Sequence, residues 1–138
     1  MNLDKIKRKL EISQGLRIKI KSFLSSDYLK NPIVIWLLAL SLFFNLINWI
    51  ALAIFLKPVD FPIIIHYNVY FGVDVQGNWK EAYLLPVIGL VVYIFNLFFS
   101  IFFYRKMERI ATYVLLIGTL MIQLSFNIAV ASILIINY

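Results

Sequence analysis

IVIWLLALSLFFNLINWIALAIFL, residues 33–56, runs for 24 residues without a charge. An α-helix rises about 1.5 Å per residue, so about 20 mostly apolar residues cross a ~30 Å hydrocarbon core. Two more blocks of the same kind follow, 84–104 and 110–136, and both are uncharged. Between and around them lie the polar and basic parts of a 138-residue chain that is 62% apolar and only 14% charged, with a mean hydropathy of +0.87. Soluble domains are about half apolar and a quarter charged. The expected class is therefore an all-α integral membrane protein, three transmembrane helices in a bundle. Its first span is no cleavable signal peptide, because the 32 residues before it and its own core are both too long. Asn31 and Pro32 mark where it begins: asparagine caps helices, and proline is preorganised for the first helical position.

Charge placement predicts the orientation. Residues 1–32 carry eight lysines and arginines, the link 57–83 only Lys57 and Lys80, and the link 105–109 Arg105, Lys106 and Arg109. Basic residues favour the cytoplasmic side. The N-terminus is therefore expected inside the cytoplasmic membrane, 57–83 outside, 105–109 inside and the C-terminus outside. Trp36, Tyr104 and Tyr113 fall toward the inner interface, and Trp49, Trp79, Tyr83 and Tyr138 toward the outer one, where aromatic rings form belts.

Residues 1–32 read as a basic amphipathic helix on the inner leaflet. Leu3, Ile6, Leu10, Ile12, Leu16 and Ile20 supply apolar positions at helical spacing. Lys5, Lys7, Arg8, Lys9, Arg17, Lys19 and Lys21 face anionic lipid, although Gly15 interrupts the pattern. A nucleic-acid or protein docking arm is the sharper alternative; the apolar stripe favours lipid, and no nucleic-acid partner is expected.

No charge lies inside any span, which argues against proton pumps, ion-coupled carriers and voltage sensors. Neutral polar residues align instead: Ser41, Asn45 and Asn48 on the first span, Gly89, Tyr93, Asn96 and Ser100 on the second, Thr119, Gln123 and Asn127 on the third. Each set occupies one helical face. A carboxamide facing lipid leaves donors and acceptors unpaired at a cost of several kcal/mol. The five amides Asn45, Asn48, Asn96, Gln123 and Asn127 are thus expected to point inward as a polar clamp, with Asn45, Asn96 and Gln123 bonding across the bundle. A substrate cavity or a contact between copies of the chain is the alternative use of those stripes. The short 105–109 link makes the second and third spans an antiparallel hairpin.

The outer link, 57–83, mixes β-branched and aromatic residues with the only histidine. Ile63–Phe71 has a strand pattern, with a hairpin of 63–71 against 73–75 as one outcome. The segment is expected to form an ordered cap on the outer end of the bundle, held down by its apolar residues. His66, Tyr67, Asn68, Gly72, Asp74 and Trp79 form its candidate binding surface. His66 with Asp60 and Asp74 has the ligand chemistry of a metal site but no recognisable ligand spacing, so a hydrogen-bonded structural histidine is the favoured reading. No paired nucleophile and base, phosphate loop or dinucleotide fingerprint is present. With no cysteine there is neither a disulfide nor a thiolate site. Neither an enzyme nor a cofactor is expected.

Pro62, His66, Tyr67, Asn68, Gly72, Asp74, Gly77 and Lys80, within residues 58–80, resemble the extracytoplasmic motif in the N-terminal membrane module of immunity proteins that protect bacteria from the sporulation-delaying toxin. The resemblance implies an envelope-facing sensing or protective role. Isoleucine, lysine and asparagine usage likewise points to a bacterial source. From the residues alone, the expected activity is that of an accessory or scaffold protein acting through a membrane-protein partner or a second copy of itself. Toxin immunity is the alternative, and a small transporter subunit a more distant third.

Overall fold

The computed structural model describes Gly15 and residues 27–137. The basic residues Lys5, Lys7, Arg8, Lys9, Arg17, Lys19 and Lys21, and Tyr138, lie outside the described residues. The chain forms two compact units, 1–35 and 36–138. In the first, Gly15 is helical and a single helical turn, α1, covers Asp27–Lys30. The long helix α2, Pro32–Phe55, opens as its sequence predicts. The Asn31 Oδ1 accepts from the Ile33 N–H at 3.0 Å, and Pro32 occupies the first helical position, where its missing N–H leaves no bond unmade.

Two more long helices complete the second unit, α3 at Leu84–Arg105 and α4 at Arg109–Asn137. The three blocks read from the sequence fall within one residue of these helices at every end. All three are long and apolar enough to cross a membrane. The turn between α3 and α4 is tighter than its composition predicts. The Glu108 N–H donates to Phe103 O at 3.0 Å and the Met107 N–H to Tyr104 O at 3.1 Å. That pair of bonds is a Schellman motif, which reverses the chain through one left-handed residue. Here that residue is Met107, at φ 65°.

Between α2 and α3 lies an antiparallel hairpin, β1 (Ile63–Asn68) against β2 (Gly72–Gly77), followed by a 3₁₀ turn at Trp79–Tyr83 that runs into α3. The hairpin differs from the expected one. The first strand ends at Asn68 and Val69–Phe71 form the turn. Asn68 Oδ1 accepts from the Tyr70 N–H at 2.9 Å, and Gly72 sits at φ 82°, a conformation a Cβ would penalise. These two residues bend the chain three positions before the β-branched run ends.

The interior of the helical part is more polar than that of a water-soluble domain. Ser41, Asn45, Asn48, Ser100, Thr112, Thr119 and Gln123 are buried, while Phe43, Ile50, Ile54, Phe95, Phe98, Val114, Ile128 and Ile135 are exposed. A purely apolar cluster closes one end, where Leu52, Val130 and Ile133 from the helices and Leu56, just past α2, meet Ile63 from β1 and Ala82 from the 3₁₀ turn. The hairpin base is therefore part of the core and the hairpin tip is not.

Candidate functional site

Two groups of side chains were singled out in the sequence, the amides on the helices and the cap. On the helices the amides meet as rungs. Asn45 Nδ2 donates to Gln123 Oε1 at 3.1 Å and to Pro86 O at 3.0 Å, and Gln123 Nε2 donates to Gly89 O at 2.8 Å. One buried knot thus ties α2, α3 and α4 together. Gly89 makes the approach feasible: a Cβ there would lie 2.8 Å from Gln123 Oε1 and 2.9 Å from Asn45 Nδ2. Pro86 contributes differently. Its carbonyl, near the start of α3, accepts from Asn45 Nδ2.

Asn96 does not join this knot. Its Nδ2 donates to Thr119 Oγ1 at 2.9 Å, forming a separate α3–α4 rung. A third rung, missing from the expected stripes, comes from Thr112, whose Oγ1 donates to Ser100 O at 3.2 Å. Asn127 Nδ2 donates to Phe44 O at 3.1 Å across to α2 and to Gln123 O at 2.8 Å. Asn48 behaves unlike the others: it is buried, and its Nδ2 has no hydrogen-bond partner among the described residues. These bonds are neutral, and each is oriented by a backbone carbonyl, a second amide or, for Asn96, the Thr119 hydroxyl. They hold helices together and offer no acid, base or nucleophile.

The cap is built on a bulged hairpin. Ile63 pairs with Gly77, Ile64 with Gln76, His66 with Val75, Tyr67 with Val73 and Asn68 with Gly72, so Ile65 and Asp74 have no partner in the ladder. Such irregularities re-aim side chains. Here the result is that His66 Nδ1 and Asp74 Oδ2 come within 3.1 Å on an exposed surface. Asp60 does not join them: among the described residues no three His, Asp or Glu side chains are grouped to hold a metal.

Of the other cap residues, Tyr67 is exposed beside Val73 and Val75, while Asn68 and Gly72 shape the turn. Trp79 belongs to the base instead. Its ring packs edge-on to Tyr83 at 6.2 Å between centroids, and Tyr83 in turn meets Trp49 at 5.9 Å. Three of the rings expected in one interfacial belt thus form one cluster. The turn itself carries the most exposed apolar residues of the cap, with Val69 at 85%, Tyr70 at 90% and Phe71 at 84% exposure. Of the apolar run expected to hold the cap down, Ile63 does so and these three do not.

No family model matches the sequence, and comparison with curated proteins and with solved structures gave no match.

Two residues that position the cap escaped the sequence reading. Asn137, in the last turn of α4, accepts from the Ile64 N–H at 2.9 Å and donates Nδ2 to Ile64 O at 2.7 Å. Its carboxamide thereby mimics a neighbouring strand on the edge of β1. Nothing local marks Asn137 for this, because its partner lies 73 residues away. Asn78 did leave a signal, since Asn-x-x-Glu is a capping box. Its Oδ1 accepts from the Lys80 N–H at 3.0 Å, and its own N–H donates to Glu81 Oε1 at 3.2 Å. Gly77 gives the box room, because a Cβ there would overlap the Glu81 carboxylate and lie 2.6 Å from Ile65 Cδ1.

Proposed function

We propose that the chain is a multi-pass protein of the cytoplasmic membrane, with its N-terminus inside and its C-terminus outside. In this reading it acts as an accessory or scaffold protein, presenting its extracytoplasmic hairpin to a protein partner. Three observations support the membrane placement: three helices of sufficient length and apolarity, polar residues turned inward, and large apolar side chains turned outward. In water such an outer surface far exceeds the few hundred Å² of contiguous apolar patch that soluble monomers expose. Orientation follows from the basic residues at 1–32 and 105–109.

The observation that carries the function is the exposed Val69–Tyr70–Phe71 turn at the end of a hairpin whose base is fastened by Asn137 and the Leu52–Ile63–Val130 cluster. A rigid stem bearing an aromatic tip suits recognition, because exposed tyrosine and phenylalanine bury much area at little entropic cost when they bind. The test is a photo-crosslinking residue at position 70 in living cells. One discrete protein adduct is expected, lost when Val69 and Phe71 become serine and retained when Gln76 is changed. Adducts to lipid alone, or to no single protein, overturn the reading.

A second reading, toxin immunity or ligand sensing, is favoured by one pair. His66 and Asp74, both among the positions that resemble the immunity-protein motif, are hydrogen-bonded on the exposed face of the hairpin. Expression of the chain would then protect cells from an envelope-active peptide, and His66→Ala would abolish the protection.

A further inference from the structure

A side-opening groove runs between the C-terminal halves of α2 and α4. Its wide end, about 700 Å³, is lined by Ile54, Phe55, Ala131, Leu134 and Ile135, with Lys57 at the mouth. A narrower continuation of about 370 Å³ shares Phe55, Ala131 and Leu134 with it and reaches back to Ile47. We propose that this groove holds one acyl chain of an anionic phospholipid, with the lipid phosphate against the Lys57 ammonium.

Length is the first argument. From Ile47 to Phe55 the helical rise is about 12 Å and Lys57 lies two residues beyond, so the groove reaches about half-way through the ~30 Å hydrocarbon core, the depth of a single leaflet's chains. Chemistry is the second. Apart from Asn48 and Asn127 at the narrow end, the walls are aliphatic and aromatic. Small residues at Ala51 and Ala131 let a chain sink between the helices, and the cation stands at the end where the headgroup layer begins. A lysine at that level attracts anionic lipid.

A partner helix fits the groove less well. Helices in membranes associate through small residues and interhelical hydrogen bonds. The two amides at the narrow end offer no rung, since Asn48 is 1% exposed and Asn127 Nδ2 is already bonded to Phe44 O and Gln123 O. The inference rests on the membrane-spanning reading but not on what the hairpin binds, so failed crosslinking at position 70 leaves it standing.

The test is native mass measurement of the full chain, purified in mild detergent, stripped of lipid and titrated with phosphatidylglycerol or with phosphatidylcholine of the same chains. One saturable lipid per chain is expected, with about five-fold preference for the anionic lipid. Lys57→Gln should bring the two lipids to parity. Ala131→Phe should remove the saturable adduct of both. Ile135→Trp, a change at a 77%-exposed position, blocks the mouth from outside should the first variant misfold. The proposal fails if adducts are unsaturable or indifferent to these variants. A doubled protein mass that Ala131→Phe abolishes overturns it as well, because the groove would then belong to a second copy.

Discussion

Asn137 grips Ile64 by both atoms of its carboxamide, at 2.9 Å on the strand N–H and 2.7 Å on its carbonyl. The last turn of α4 therefore supplies the hydrogen bonds that a third strand would give β1. Each bond contributes about 0.5–1.5 kcal/mol net, and removing the amide leaves two half-buried backbone groups unpaired. Asn137→Ala is expected to loosen the hairpin from the helices by roughly 1–3 kcal/mol, with little effect on the helices themselves. Amide exchange at residues 63–68 should accelerate while exchange in α3 stays slow. Unchanged exchange at Ile64 would show that the apolar cluster alone fastens the hairpin.

Gly89 and Gln123 are coupled by space as well as by a bond. A methyl at position 89 would sit 2.8 Å from Gln123 Oε1, and overpacking of this kind costs about 1–3 kcal/mol. Gly89→Ala should destabilise by that amount in detergent unfolding. In the Gln123→Ala background the same change should cost less, because one of the two colliding carboxamides is gone and the other, Asn45, has lost the bond to Gln123 that helped hold it in place. Additive losses in the double variant would place the strain elsewhere.

Asn48 and Asn45, one helical turn apart, should respond in opposite senses. Asn45→Leu removes bonds to Gln123 and Pro86, and interhelical bonds of this type contribute about 0.6–2 kcal/mol. The Asn48 Nδ2 has no partner among the described residues. A buried amide left unsatisfied costs about 1–3 kcal/mol, so Asn48→Leu should be neutral or stabilising. Loss of stability in Asn48→Leu comparable to that in Asn45→Leu would mean that Asn48 bonds to a group outside the described residues.

Helix ends and inward faces were legible because they depend on local pattern. Charge-free length set the three helices, the Asn31-Pro32 pair set the start of α2, and spacing put Asn45 and Gln123 on facing stripes. What escaped depends on pairing at a distance. Thr112 lies seven residues before Thr119 on the same face, so the stripe extends two turns further than Thr119–Asn127, but only the antiparallel register of α3 and α4 brings it to Ser100 O. Asn96 bonds across the bundle as expected, and its partner, Thr119 Oγ1, is set by the same register. In the cap, the β-branched run concealed the turn, because Asn68 and Gly72 override strand propensity with a side-chain bond and a positive φ.

Met107 occupies the left-handed position of the α3–α4 turn at φ 65°, 78% exposed. Glycine is the usual residue there, since a Cβ in that conformation costs about 1 kcal/mol or more. Met107→Gly should therefore stabilise the protein by about 1 kcal/mol, less the entropy that glycine adds to the unfolded chain. A melting temperature that falls instead would mean the Met107 side chain makes contacts worth more than the strain.

His66 and Asp74 make a solvent-exposed pair, and such pairs contribute only about 0–1 kcal/mol. The hairpin owes its shape to the Asn68 turn, Gly72 and the Asn137 grip, none of which needs the imidazole. His66→Ala should thus leave stability within about 0.5 kcal/mol of the parent, a change typical of surface sites, and leave exchange at Ile64 slow. That separation makes the residue informative. If protection against an envelope-active peptide, or capture by the tip, is lost while the hairpin stays docked, the imidazole recognises the ligand directly. If exchange through residues 63–68 accelerates in the same variant, His66 shapes the hairpin, and the immunity reading loses the residue on which it depends.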